Sequence, residues 1–388
     1  MLRTMKTEND NKNLNVPNLR FPEFDGEWEK VTLSKVVTRI TRKNKNNESR
    51  LPLTISAQYG LVDQISFFNK VVASADMSNY YLLKEGEFAY NKSYSSEYPW
   101  GAIKRLDRYP KGALSSLYIC FGINDNIDSD FIMHYFESSK WHREVSNIAG
   151  EGARNHGLLN IAVGDFFNTA HYIPSNNKEQ QKIAALINLI TVRIDTQIKI
   201  IEDLKKLKSA ISKILFEHCD RVSNIRLLGD ICKITTGKLD ANAMTDDGKY
   251  PFFTCAREDY KTDTFAFYGD SLLISGNGEI GIVKRYNGKF NAYQRTYVLQ
   301  NFSENIEYLM YYIEYHLPKR VLKEKNVGAM PYIVLSTLSE MPIKMPDIKK
   351  QFEVNRTLTC LSELIELNSK LKDSYTSQKS YLLAQMFI

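Results

Sequence analysis

The stretch Gly276-Asn-Gly278-Glu-Ile-Gly281 has the glycine spacing of a dinucleotide-binding loop, and SLLIS (271–275) before it reads as a strand. A pyrophosphate site needs a helix next, so that its N-terminus faces the phosphates. Here the chain continues IVKRYNGKF, which is β-branched and leads to Asn287-Gly288, a strong hairpin signal. The glycines are therefore read as a tight turn or a close approach of two backbones. Other catalytic patterns are missing. There is no GxxxxGK[ST], no HExxH and no CxxC, and the six histidines show no metal-ligand spacing. Without Glu-x-Lys, the lone Pro-Asp (Pro346-Asp347) makes no nuclease carboxylate–lysine cluster. The Asn/Asp-Pro-Pro-aromatic signature of amino-methyltransferases is lacking, and Asp246-Asp247-Gly248 reads as a turn. The chain is expected to be non-catalytic, with no metal or cofactor of its own.

The elements around these residues come next. At 388 residues the chain exceeds one ordinary core, so two domains are expected. Hydrophobic residues make up 43% and charged residues 25%, as in a folded water-exposed protein. No apolar run approaches the roughly 20 residues of a membrane span, and the polar start MLRTMKTENDNKNLN is not expected to be a signal peptide. Five scattered cysteines suit reduced thiols in a cytoplasm. Lys+Arg exceed Asp+Glu by 51 to 45, which permits an anionic partner without demanding one.

The chain repeats itself. With Ile183 set over Val354, 171 positions on, Ile187 falls on Leu358, Ile190 on Leu361, Ile194 on Ile365, Phe216 on Phe387 and Gln180 on Gln351. Pro174 and Pro346 announce the two segments. Apolar residues from 183 to 215 recur about every 3.6 positions, which predicts a long helix with one apolar stripe, roughly 55–60 Å in length. The segments before the helices also correspond. Phe131–Glu137 matches Tyr308–Glu314 as a helix, with Asp128 or Ser303 available as caps, and VTLSKVVTRITRK (31–43) matches RLLGDICKITTGK (226–238). A Gly-Ala pair follows in each, Gly152-Ala153 and Gly328-Ala329. FFNKVVA (67–73) and ICFGI (119–123) read as strands of the first module. The order is module, long helix, module, long helix, with an internal pseudo-two-fold suited to a target that is itself roughly two-fold, such as duplex DNA.

NVPNLRFPEFDGEWEKVTLSKV (15–36), PSNNKEQQKIAALI (174–187), LLGDICKITTGK (227–238) and GNGEIGIVKRYNGKF (276–290), in this order, resemble the specificity (S) subunit of a type I restriction–modification system over nearly the whole chain. The implied fold is mixed α/β (α+β): two tandem target recognition domains separated by two long antiparallel coiled-coil-like helices. The expected layout is a polar arm (1–27), domain 1 (28–173), helix 1 (174–217), domain 2 (218–345) and helix 2 (346–388). The resemblance implies that each domain reads one half of a split DNA site. It also implies that the helices space the readers and dock two modification (M) subunits, which hold S-adenosylmethionine and methylate adenine N6. Restriction (R) subunits, with ATP and Mg, would join this core.

Major-groove reading needs Arg or Lys for guanine and Asn or Gln for adenine. The loops offer Lys92, Tyr94, Lys104, Arg105, Arg154 and Asn155 in the first module and Lys238, Asn277, Lys284, Arg285, Gln294 and Arg295 in the second. Arg154-Asn155, flanked by Gly152 and Gly157, is the strongest candidate of the first module. Ile183, Ile187, Ile190, Ile194, Leu358, Leu361 and Ile365 are the expected partner-binding stripe. A helical adaptor whose duplicated modules bind something other than DNA is the rival reading.

Overall fold

The computed structural model describes residues 3–4, 15–150, 157–219, 224–256, 258, 260–278, 281–324 and 332–388. The chain forms two compact units. The first is Met1–Thr196 with Leu371–Ile388, and the second is Gln197–Lys370. The long helices run Asn177–Cys219 and Ile348–Gln385, so each is divided between the two units rather than standing apart from them.

In the first unit, one four-stranded sheet has the order Gly60–Asp63, Pro52–Ser56, Lys111–Leu114, Tyr81–Lys84. The other has the order Val37–Ile40, Ile119–Ile123, Phe88–Asn91, Ala102–Arg105. In the second, six strands are ordered Lys233–Thr236, Thr296–Gln300, Phe267–Ser275, Val283–Ala292, Tyr250–Phe253, Tyr260–Thr262. The repeat survives at the level of single hydrogen bonds. Strand Glu29–Thr32 leads into the short helix Leu33–Val36, as Ile225–Leu227 leads into Leu228–Ile231. Leu33 and Leu228 are both fully buried, and their amides donate to Thr169 O and Met341 O, each at 2.9 Å. Those acceptors flank strands Ala170–Ile173 and Pro342–Lys344, which pair with Glu29–Thr32 and Ile225–Leu227. Gln180 and Gln351, matched at the sequence level, donate to Pro174 O (2.8 Å) and Pro346 O (2.9 Å) and so tie each long helix to its strand.

The helix stripe is buried as its period requires. In the first unit Ile183, Ile187 and Ile190 share a core with Leu382, Met386 and Phe387. In the second Phe216 shares one with Val354, Leu358 and Leu361. The stretches run antiparallel within each unit: Arg193 meets Tyr375 in the first, and in the second Gln197 bonds Asn368 while Ile211 lies beside Glu353–Leu361.

Several local expectations are corrected. Asn287-Gly288 makes no hairpin. Strand Val283–Ala292 runs straight through it, pairing Asn287 with Asp270 and Gly288 with Gly269. The paired glycines Gly288 and Gly269 both have positive φ (147° and 100°), so the strand passes the dipeptide in a backbone conformation that glycine adopts readily. Residues 67–73 are not a strand: Asp63 caps a helix Gln64–Phe68 by accepting from Ile65 N, and Asn69 ends it at φ 50°. The helix Ile306–Glu324 starts from Asn305, whose side chain accepts from Tyr308 N (2.9 Å), while Ser303 bonds Ile231 O instead. Asp128 does cap Ser129–Glu137, accepting from Phe131 N at 2.8 Å. The later part of the polar arm is docked: Arg20 is buried and makes a two-pronged ion pair with Glu179 in the first turn of the first long helix, at 2.7 and 2.8 Å.

Candidate nucleic-acid interface

In the second unit three loops are laced together by backbone hydrogen bonds. Gly237 N donates to Thr296 O (3.1 Å), Gln294 N to Leu239 O (2.9 Å), and Gly276 N to Arg295 O (3.0 Å). Cys255 Sγ adds a contact to Arg295 O at 3.4 Å. A Cβ on Gly276 would stand 2.6 Å from the Arg295 carbonyl, so this glycine is what lets the loops close on one another. The result brings four of the six sequence-selected residues of this module together. Lys238, Gln294 and Arg295 are exposed and Asn277 is half-buried, on one rim of the six-stranded sheet. The set contains two side chains of the type that pairs with guanine, Lys238 and Arg295, and two of the type that pairs with adenine, Asn277 and Gln294, on short, hydrogen-bonded loops.

Lys284 and Arg285 lie on strand Val283–Ala292, not on those loops. Arg285 is held by Asp270 through two bonds of 2.7 and 3.0 Å, and this hydrogen bonding keeps the Asp270 carboxyl below the usual range.

The first unit repeats one backbone bond of this rim with different residues. Lys92 and Tyr94 follow strand Phe88–Asn91, as Gly276 and Asn277 follow Phe267–Ser275. Leu159 N donates to Lys92 O (2.9 Å), and the counterpart bond runs from Ile333 N to Gly276 O (2.9 Å). Tyr94 N adds a bond to Gly157 O (3.0 Å), and Lys92 Nζ reaches Ile161 O (3.3 Å). A cavity of about 360 Å³ opens here, bounded by Lys92, Ser93, Leu117, Tyr118, Leu158 and Asn160. Tyr118 and Asn160 carry no signal in the sequence, the one a tyrosine before a strand and the other an asparagine after two leucines. Arg154 and Asn155, with both Gly-Ala pairs, lie outside the described residues.

Lys104 and Arg105 are placed elsewhere. Both engage helix Ser129–Glu137 instead of joining Lys92 and Tyr94. Arg105 pairs with Asp107 and Asp130, each at 2.6 Å, and with Ser129 at 3.0 Å. Lys104 is half-buried beside Glu137 and Lys379, and burial pushes its ammonium below the usual lysine range. Neither arrangement presents a cation to an incoming base.

The stripe expected to bind partners is spent internally. Ile183, Ile187, Ile190, Leu358 and Leu361 are buried in the chain's own cores, and Ile194 and Ile365 are half-buried. The apolar side chains that the long helices leave exposed are others, among them Leu189 (64%), Val192 (60%), Phe352 (66%) and Leu367 (63%). Among the described residues no group of His, Cys, Asp and Glu is placed to hold a metal ion, and no helix is long and apolar enough to cross a membrane.

Residues 223–375 match the type I restriction modification DNA specificity domain. The chain is 37% identical over 139 residues to the specificity subunit of the type I restriction enzyme EcoDI of Escherichia coli, covering 36% of this chain and 31% of that protein. It is 28% identical over 161 residues to a putative type I specificity subunit, S.MpnORF507P, of Mycoplasma pneumoniae, covering 39% and 43%. The matched region thus spans 31% and 43% of the length of these relatives. Two solved structures share the fold over nearly the whole chain. The S subunit of a type I restriction-modification system from M. genitalium gives a TM-score of 0.61 at 17% identity, covering 96% of this chain and 99% of that one. A chain from a structural study of complex assembly and conformational transition in a type I R-M system gives 0.55 at 15%, covering 93% and 97%.

Proposed function

We propose that this chain, which belongs to the type I restriction–modification specificity-subunit family, reads a bipartite DNA site, each module taking one half. The observation that carries the reading is the duplication of the loop cluster: the same backbone bond, Leu159 to Lys92 and Ile333 to Gly276, frames two loops whose side chains differ. A conserved frame with different readers is what two unlike half-sites require, since base edges are told apart by donor and acceptor type. Lys92 and Tyr94 with the segment up to Gly157 serve the first half-site. Lys238, Asn277, Gln294 and Arg295 serve the second.

Leu189, Val192, Phe352 and Leu367, apolar side chains that the long helices leave exposed outside the chain's own cores, are the positions this reading offers for docking of methyltransferase subunits. In this reading the chain chooses the site and the docked subunits, holding S-adenosylmethionine, methylate adenine. The ATP-dependent restriction subunits join them. The test is exchange of residues 28–173 for the matching module of a relative, followed by mapping of N6-methyladenine in the host genome. One half of the methylated motif should change and the other should stay. A change in both halves, or in neither, defeats the modular reading. A DNA reader must also lose affinity steeply with salt as phosphate counterions are released, whereas an adaptor for neutral partners must not.

A further inference from the structure

We propose that the second module carries a nucleotide-binding groove beside the loop cluster, its lysines taking a phosphate and its tyrosines taking a base. The groove encloses about 580 Å³ between the hairpin Tyr250–Phe253/Tyr260–Thr262 and strand Val283–Ala292. Lys249, Lys261 and Lys284 line it together with Tyr250, Tyr260 and Tyr286. Arg285 stands at its edge, already engaged by Asp270. Among the described residues no carboxylate lines it; Asp270 reaches Arg285 at 2.7 Å, and Glu258 accepts from the Tyr260 hydroxyl at 3.3 Å.

Lys249 and Lys261, both exposed beside a cavity that no described carboxylate lines, favour an anion such as a phosphate. The three half-buried tyrosines add flat apolar surface, which a bare phosphate does not use and a nucleobase does. The rings are set by packing: Tyr286 lies 5.2 Å from Phe253 and 5.6 Å from Phe290, and Tyr250 lies 5.0 Å from Phe265. A planar, phosphorylated ligand fits this chemistry. The groove adjoins the candidate interface along the chain, since Phe253 is two residues from Cys255, which contacts Arg295, and Lys284 lies seven residues after Asn277.

The ligand is either a nucleotide unit of bound DNA or a free nucleotide. The first source rests on the function proposed above, and the second does not. Adenosine 5′-monophosphate, adenosine and inorganic phosphate are titrated into the full-length chain by calorimetry, with Lys249→Gln/Lys261→Gln and Tyr260→Leu variants checked for unchanged thermal unfolding. All three substituted side chains lie at the groove and outside the buried cores. The monophosphate should bind at least roughly tenfold more tightly than adenosine or phosphate. The lysine variant should lose most of that advantage while its adenosine binding stays the same. Tyr260→Leu should weaken the monophosphate and adenosine roughly five- to a hundredfold, the range of one base–aromatic stack, while phosphate binding stays the same. If the lysine variant also loses affinity for duplex DNA, with a salt slope shallower by about one to two, the nucleotide belongs to the DNA. If monophosphate binding is lost and DNA affinity is unchanged, the groove serves a free nucleotide. A chain that binds the monophosphate but no DNA defeats the proposed function and leaves the groove standing. No saturable monophosphate binding up to about 10 mM, or binding that neither variant weakens, overturns the groove.

Discussion

Lys379 Nζ lies 3.0 Å from a carboxylate oxygen of Glu137, and 171 positions earlier Lys208 Nζ lies 3.0 Å from Glu314. Glu137 and Glu314 end matching stretches of the two modules. Each is therefore paired with a lysine on the long helix that follows the other module. Aromatic packing repeats the exchange: Phe387 meets Phe131 at 5.2 Å and Phe216 meets Tyr308 at 6.2 Å. The helix that directly follows each module contributes as well. Asn188 bonds Asp130 and His134, and its counterpart Thr359 bonds Glu307 and Tyr311. Each module is held by both helices, through the same positions filled with different chemistry.

The two ion pairs should differ in strength. Glu137 and Lys379 expose 26% and 17% of their side chains, whereas Glu314 exposes 47%. A double-mutant cycle of Glu137→Gln with Lys379→Met should give a coupling of about 1 kcal/mol. The cycle of Glu314→Gln with Lys208→Met should give less, as solvent screens an exposed pair. Urea unfolding of the four variants in each cycle measures both, and a larger coupling at Glu314 would contradict the burial argument.

Acid should loosen the first unit in two steps. His171 is buried, and burial pushes it down to about 4. The Thr169 hydroxyl gives its hydrogen to Phe166 O (2.7 Å), so it accepts from His171 Nε2 (2.8 Å), which leaves Nδ1 to accept from Tyr135 (2.7 Å). That network needs the neutral ring. The unfolded ring takes up a proton from about pH 6.5, so stability present above that pH is lost as pH falls toward 4, in all about 3 kcal/mol. Burial pushes the Glu137 carboxyl up, but the His134 hydrogen bond and the Lys379 charge outweigh it and hold the group at about 2. Its share is present above the ordinary value near 4.5 and is lost between there and about pH 2. His171→Gln should flatten the first limb and Glu137→Gln the second in unfolding curves taken from pH 7 to 2. If neither limb moves, the acid sensitivity lies in other groups.

The repeat was legible because it rests on long-period pattern: the 171-residue shift holds for the stripe and for single side chains such as Gln180 and Gln351. The misread stretches were those where a local signal lost to a distant partner. Asn287-Gly288 has the composition of a turn, but strand Phe267–Ser275 offers it an unbroken ladder. Lys104 and Arg105 have the residue types of DNA readers. What disarms Arg105 is Asp130, twenty-five residues on, and what occupies the neighbourhood of Lys104 is Lys379 on the last helix, which no window around 104 contains. In the second module the candidate residues that did converge sit on loops tied by backbone bonds, and side-chain types alone give no hint of that convergence.

Neighbouring residues on the first long helix should separate folding from docking. Ile190 is buried and Leu189 is 64% exposed. Ile190→Asp puts a charge into the core at a cost of several kcal/mol and should abolish both stable folding and copurification with methyltransferase subunits. Leu189→Ser should change stability by no more than about 0.5 kcal/mol yet weaken copurification. Full assembly by Leu189→Ser would move the docking surface to another face.

The helices can be tested as a ruler. The chain passes between the two compact units at Thr196/Gln197 and again at Lys370/Leu371. Lengthening one crossing alone sets the two helices against each other, so four residues inserted only after Thr196 should destabilise the protein. Four inserted at both crossings keep the antiparallel match. They add about 6 Å of helix and turn the stripe by only about 40° beyond a full turn. DNA rises about 3.4 Å per base pair, so the unread gap between half-sites should grow by about two base pairs while both half-sites keep their sequences. Two residues at both crossings instead rotate the stripe by about 200° and should break assembly. Methylome sequencing of the doubly lengthened chain decides it: an active complex with an unchanged gap would leave the helices as a docking surface only, with the spacing fixed by the subunits they carry.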